Sequence, residues 1–222
     1  MKRYFSKLRA DLRPATRVTK SDRTRAVILN AALKFIWSRP FREMNVNSLM
    51  ATTDLSRSAF YQYFTDIHKV METLLQLLAE EIFASSNHWL DGVGDPVVLL
   101  SEAFEGLTQT CYRNGPFLRA VSDAATTDER FEKDWTQFLG GFDEAGVTRI
   151  EADQEQGLIA AFDARPVAFS LNRVNAYTFI DAFGQRPRSK PKPIQEALAR
   201  IWISTLYGAE WAEKGASNLV RK

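Results

Sequence analysis

Twenty residues near the start of the chain, NVNSLMATTDLSRSAFYQYF (45–64), admit few folds. Asn45 and Ser56 are each suited to cap the helical segment that follows, because a side-chain oxygen there accepts an otherwise unpaired backbone N–H. The segments so defined run over about 46–53 and about 57–64, and Asp54-Leu55 turns the chain between them. Two short helices joined by a tight turn form a unit whose second helix can lie in the major groove of DNA, about 12 Å wide. Phe60 and Phe64 stand four apart and face inward with Leu49 and Leu55. That turns Arg57, Ser58, Tyr61 and Gln62 outward. A guanidinium suits guanine, an amide suits adenine, and hydroxyls suit phosphate. On pattern alone, an ordinary helical hairpin with a polar solvent face is the alternative.

The charge distribution bears on that choice. The chain carries a net +2, but residues 1–70 hold 14 Lys/Arg against 5 Asp/Glu, whereas residues 71–222 hold 15 against 22. A basic head on an acidic body suits a polyanionic partner for the head; a basic tail without a partner is the other reading. Arg13, Arg17, Lys20, Arg23 and Arg25 lie just ahead of or within the start of the first helix, where a basic arm can track phosphates or enter a minor groove.

Periodicity predicts helices through the rest of the chain and no strands. Residues 1–20, with Pro14 and many cations, read as a flexible arm. A first helix capped by Ser21 or Asp22 runs to about Ser38, with Ile28, Ala32, Phe35 and Ile36 on one face, and Pro40 stops it. A long helix capped by Thr65 or Asp66 follows to about Leu90. Then come helices over about 96–113, a short one to about Ala125 after the Asn114-Gly115-Pro116 break, 127–157, 165–183 and 192–213. The loop GQRPRSKPKP between the last two is proline-rich and charged, hence exposed and stiff. The expected architecture is all-α. Residues 1–20 are the arm, 21–70 a three-helix helix-turn-helix domain, and 71–222 a helical ligand-binding and dimerisation domain.

Residues 25–75 resemble the N-terminal signature of TetR-family transcriptional regulators. The pieces that carry the resemblance are RAVILNAALKFI, NVNSLMATTDLS and SAFYQYFTDIHKVMETLL; Tyr61-Gln62-Tyr63-Phe64 is the most specific. By matching position, the resemblance implies DNA contacts from Asn47, Arg57, Ser58, Ala59, Tyr61, Gln62 and Tyr63. Asp54 stands where the family usually has a turn glycine, and Asp accepts a left-handed backbone better than most residues. Met50 stands where a small residue is usual, so it needs room between two helices. Ala59 replaces a common threonine. Ile67 replaces the usual lysine, whose phosphate contact passes to His68 or Lys69.

The body has its own signals. Trp135, Phe138, Leu139 and Phe142 repeat at helical spacing, Phe104 and Leu107 share a face, and Asn172 and Asn175 are three apart near Phe179. Such a stripe ordinarily fills a core. Two amides facing an apolar cavity instead suit the polar end of a ligand. SLNRVNAYTFIDAF (170–183) and ARIWISTLYG (199–208) resemble the bodies of mycobacterial regulators of ethionamide activation. That resemblance implies a hydrophobic tunnel with Trp135, Leu139, Phe142, Asn172, Asn175 and Trp202 on its walls. Leu107 and Cys111 replace aromatic residues there, and Gly146 replaces a polar one.

The expected function is therefore a homodimeric, sequence-specific DNA-binding regulator, a repressor released by a small hydrophobic ligand. Its partners are a near-palindromic double-stranded operator and that ligand. A helical ligand- or protein-binding co-regulator with weak, non-specific DNA affinity is the alternative. No enzyme, cofactor or metal site is expected, because neither histidine has a ligand partner at metal spacing. Cys111 is the single cysteine and has no internal partner. No segment is apolar enough to span a membrane, and the N-terminus lacks the apolar stretch of a secretory signal, so a cytoplasmic protein is expected.

Overall fold

The computed structural model describes residues 19–208. Among them are eight α-helices, one 3-10 turn and no strand: α1 (Lys20–Ser38), the turn Phe41–Glu43, α2 (Val46–Met50), α3 (Arg57–Tyr61), α4 (Ile67–Leu90), α5 (Pro96–Ala124), α6 (Glu129–Glu155), α7 (Ala164–Phe183) and α8 (Pro191–Leu206). Two compact units are present. One holds the chain up to Glu80 together with Ala120–Asp134, and the other holds Glu81–Arg119 together with the chain from Trp135 onward. The 21–70 segment lies wholly inside the first. The arm expected over 1–20 falls almost entirely outside the described residues, as do Arg13, Arg17 and the last turn expected for a helix reaching 213.

In the first unit, α1 begins two or three residues earlier than Ser21 or Asp22 would place it. Thr19 is the cap. Its hydroxyl accepts the Asp22 N–H at 3.1 Å while the Asp22 carboxylate accepts the Thr19 N–H at 2.9 Å. The helix buries Ile28, Leu29, Ala32, Phe35 and Ile36, the four larger side chains each contributing about 1.5–3 kcal/mol of hydrophobic stabilisation. Phe60 and Phe64 meet that core, ring centroids 5.9 Å apart, beside the fully buried Leu49. Met50 is 5 % exposed and so sits in the core. Leu55 is half-buried.

In the second unit, the stretch 96–125 is one helix, not two. Asn114-Gly115-Pro116 does not end α5. Proline lacks the N–H that would reach the carbonyl four residues back. That carbonyl, on Tyr112, instead accepts Arg188 Nη1 at 2.6 Å, and the Arg188 guanidinium lies 3.7 Å from the Tyr112 ring centroid. Gly115 serves a close approach: a Cβ there would stand 2.3 Å from the Phe183 carbonyl oxygen at the end of α7. The loop before α8 thus supplies the group that replaces the missing helix bond.

Candidate functional site

The first unit presents a polar helix face. Asn45 and Ser48 cap α2 reciprocally, the Asn45 Oδ1 accepting the Ser48 N–H at 3.0 Å and the Ser48 Oγ accepting the Asn45 N–H at 2.9 Å. Ser56 Oγ accepts the Ala59 N–H at 3.2 Å and starts α3. The turn between them is not built on a left-handed Asp54; no non-glycine residue among those described has a positive φ. Two threonines close it instead. Thr52 Oγ1 donates to the Leu49 carbonyl at 2.7 Å, and Thr53 Oγ1 donates to the Met50 carbonyl at 3.0 Å while accepting the Leu55 N–H at 3.2 Å.

This scaffold leaves Asn47, Arg57, Ser58, Tyr61 and Gln62 exposed, with Ala59 and Tyr63 half-buried between them. Tyr61 is 49 % exposed, large for an aromatic ring. Arg57 folds back on it, with its guanidinium 5.6 Å from the ring centroid and Nη2 donating to the Tyr61 hydroxyl at 3.3 Å. The pair therefore presents one ordered cationic surface. Lys20 and Arg23 are exposed on the first turn of α1; Arg25 is half-buried over the Phe64 ring at 5.6 Å.

The two stand-ins for the family lysine differ. Lys69 is exposed and pairs with Glu72 at 2.5 Å. His68 is occupied: Nε2 lies 2.9 Å from Asp134 Oδ2, and its ring packs edge-on against Phe131 at 4.8 Å. Burial pushes the Asp134 carboxyl up from its ordinary range, against the pull of His68. Of the two residues, only Lys69 is exposed, and its ammonium is shared with Glu72.

The second unit contains an apolar cavity of about 100 Å³, several times what one water needs. Phe104, Leu107, Trp135, Phe138, Leu139, Phe142, Asn172, Asn175, Phe179 and Trp202 all line it, drawn from α5, α6, α7 and α8. Ring contacts order the walls. Trp135 stacks on Phe138 at 5.3 Å, Phe138 meets Phe142 edge-on at 5.1 Å, and Trp202 meets Phe104 at 5.8 Å. Cys111 also faces the cavity, and burial raises its thiol pKa well above the ordinary value.

The two asparagines are not equivalent. Asn172 Nδ2 donates to Asp143 Oδ1 at 3.1 Å, and Asp143 is clamped by both Arg173 terminal nitrogens at 3.2 and 2.9 Å. The side chain of Asn175 is 8 % exposed, and its Oδ1 accepts the Trp202 indole N–H at 3.0 Å. An indole only donates, so this bond fixes which end of the Asn175 amide is oxygen. The amide nitrogen makes no hydrogen bond among the described residues. No charged side chain lines the cavity.

The sequence reading missed several lining residues, among them Ser86, Trp89 and Leu118. Trp89 belongs to a buried polar chain. Its indole N–H donates to the Tyr207 hydroxyl at 2.9 Å, and that hydroxyl donates to Asp153 Oδ2 at 2.6 Å. Arg149 holds Asp153 through Nε at 3.1 Å and Nη2 at 3.0 Å. The partners are scattered over more than a hundred residues, so no local pattern marks them. No cluster of three or more metal-binding side chains occurs among the described residues, and none of their helices is long and apolar enough to cross a membrane.

The outer faces of α7 and α8 carry exposed apolar side chains among polar ones. Phe169, Val174 and Tyr177 on α7 and Ile201 on α8 are 40–54 % exposed, opposite the faces that carry Leu171, Phe179, Leu198 and Trp202 into the core. Arg173 lies over the Phe169 ring at 4.1 Å.

Comparison with known proteins agrees with both halves of this description. Residues 100–208 match the family described as transcriptional regulator EthR, C-terminal domain. The chain is 26 % identical over 201 residues to the HTH-type transcriptional regulator EthR of Mycolicibacterium smegmatis, covering 88 % of this chain and 91 % of that one. It is 26 % identical over 212 residues to the EthR of Mycobacterium tuberculosis, covering 88 % and 92 %. Among solved structures, a TetR-family regulator from Syntrophomonas wolfei superposes with a TM-score of 0.72 at 17 % identity, over 84 % of this chain and 96 % of that one. Salmonella enterica GusR does so with a TM-score of 0.69 at 18 % identity, over 85 % and 98 %. These relatives are regulators, not enzymes.

Proposed function

We propose that this chain, an EthR-like DNA-binding transcriptional regulator of the TetR family, is a homodimeric repressor released from a near-palindromic operator by a small, neutral, hydrophobic ligand. The observation that carries the DNA-binding part is the exposed Arg57–Ser58–Tyr61–Gln62 face, held on a helix whose opposite side is the buried Phe60. Arg57 and Gln62 read base edges. Ser58, Tyr61 and Lys69 meet phosphates, and Asn47, Ala59 and Tyr63 complete the contact surface.

The ligand part is supported by the apolar, aromatic-lined cavity. With no charge on its walls, it favours a neutral molecule, since an uncompensated charge is costly to bury. Asn175 Nδ2 supplies a donor for one acceptor atom of that molecule. Dimerisation is supported by the exposed apolar side chains of α7 and α8, which two copies would bury across a two-fold axis as a four-helix bundle. Each head then meets one half-site. A ligand that binds better to the state with mismatched head spacing weakens DNA affinity by that difference in binding free energy. A regulator of this kind works in the cytoplasm.

The test is a fluorescence-anisotropy titration against the intergenic DNA beside the protein's own gene, with salt varied. Specific binding is expected, with log K falling by about 0.9 per phosphate neutralised as log salt rises. Arg57→Ala should weaken specific binding by about 1–3 kcal/mol and relax discrimination at one base pair. Full operator affinity in both Arg57→Ala and Tyr61→Ala would sink the recognition-helix assignment.

A further inference from the structure

The buried polar chain behind the cavity joins a salt bridge to a cavity wall. Asp153 has no exposed surface, and Arg149, with a side chain 10 % exposed, grips it in two places. The third arm of that guanidinium, Nη1, donates to the Gly92 carbonyl at 2.8 Å in the loop after α4. Arg149 also lies 5.9 Å from the centroid of the Trp89 ring. Asp153 therefore has a fixed place, and its Oδ2, which already accepts Arg149 Nε at 3.1 Å, also accepts the Tyr207 O–H at 2.6 Å. With its proton committed to Asp153, the Tyr207 oxygen can only accept, and it accepts from Trp89.

The consequence falls on the cavity. Trp89 is 4 % exposed and forms part of its lining. Its ring meets Trp202 edge-on, centroids 5.5 Å apart at 87°, and Trp202 in turn fixes the Asn175 amide. A single run of contacts leads from the Arg149–Asp153 pair to the Asn175 amide on the cavity wall. We propose that Tyr207, anchored by Asp153 and Arg149, is a positioning residue of the ligand cavity: its hydroxyl holds Trp89 as a fixed wall, and through Trp202 it holds the Asn175 amide ready for a ligand acceptor. This rests on the reading of the cavity as a ligand site. A wall already locked in place spares the ligand the cost of ordering it.

The probe is N-phenyl-1-naphthylamine, a neutral apolar dye that fluoresces when it leaves water, titrated into the full-length protein. Tyr207→Phe keeps the ring and its packing and removes only the hydroxyl. It should weaken dye binding by about tenfold, the scale of one buried hydrogen bond. Binding is measured well below the urea midpoint of each variant, so that only folded protein is compared. A hydroxyl that serves folding alone would lower the midpoint and leave the dye affinity of the folded protein unchanged, and that result overturns the inference. Leu107→Trp, which fills the cavity, is the control. If the unmodified protein does not bind the dye, or Leu107→Trp binds it equally well, the cavity reading fails and takes this inference with it. If the control behaves and Tyr207→Phe binds as before, the positioning role alone falls. Should Tyr207→Phe not fold, hydrogen exchange of the Trp89 indole N–H in the unaltered protein decides. The dye should slow it, and unchanged exchange refutes the role.

Discussion

Two glycines in long helices invite the same substitution and should answer it with opposite signs. An alanine Cβ at Gly115 would lie 2.3 Å from the Phe183 carbonyl oxygen, 2.5 Å from its carbonyl carbon and 2.7 Å from its Cβ. Ordinary carbon–oxygen contact begins about 1 Å farther out, and carbon pairs are best placed at about 3.5–4.0 Å. The obstacle is mostly backbone at the end of α7, so no rotamer change relieves it and one helix must move. Overpacking of this kind costs about 1–3 kcal/mol, and a forced backbone shift belongs at the upper end. Alanine returns about 1 kcal/mol of helix propensity. The net expectation for Gly115→Ala is a loss of about 2 kcal/mol. Gly140, inside α6, has nothing within 4 Å of the added carbon. Gly140→Ala should therefore gain up to about 1 kcal/mol. Urea unfolding followed by circular dichroism, at one fixed protein concentration because a dimer's stability depends on it, should separate the two variants by about 3 kcal/mol. Equal stabilisation of both would show that α5 and α7 do not cross at Gly115 as described.

Two further expectations concern assembly and pH. Tyr177→Asp places a charge among the exposed apolar side chains of α7; sedimentation should show monomers, with operator affinity falling in step, and an unaltered dimer would relocate the interface. Asp128 accepts from both the backbone N–H and the guanidinium of Arg130, and these bonds hold its carboxyl at about 2. A folded value below the unfolded one of about 3.9 gives stability that is present above pH 4 and lost as pH falls toward 2. Asp128→Asn should then lower the thermal midpoint at pH 6 and leave it unchanged near pH 2. A deficit that persists at the acid end would refute the pairing.

What the sequence made legible was whatever is decided within a few residues. Asn45 and Ser56 cap helices because the donors they satisfy lie three positions on, and Phe60 and Phe64 turn inward because four residues make one turn. Helical spacing marks Phe104, Leu107, Trp135, Phe138, Leu139 and Phe142, and likeness to a family pattern at 170–183 and 199–208 adds weight to Asn172, Asn175 and Trp202; the structure gathers them on one cavity. The misses share a cause in distant partners. Asn114-Gly115-Pro116 reads as a break only until Arg188 appears, 76 residues along, to take the orphaned Tyr112 carbonyl. Asn172 looked equal to Asn175 because nothing near it in sequence announces Asp143. Asp54 stands where a glycine is usual and tolerates a left-handed backbone, yet the turn does not use one: Thr52 and Thr53 make it with ordinary geometry. Tyr207, Asp153 and Trp89 lie on three separate helices or their ends, and no spacing rule connects them.

The single cysteine has a practical consequence. Cys111 is 3 % exposed and its thiol resists ionisation, and thiol reagents attack the thiolate. The native protein therefore offers no competing label site on its surface. A cysteine introduced at an exposed position of the head, such as Asn30, would take a spin label cleanly in an otherwise unaltered background. In a two-fold assembly that one label becomes a matched pair, and the distance between its two copies, read before and after adding an effector, is a direct ruler for how far apart the reading heads stand.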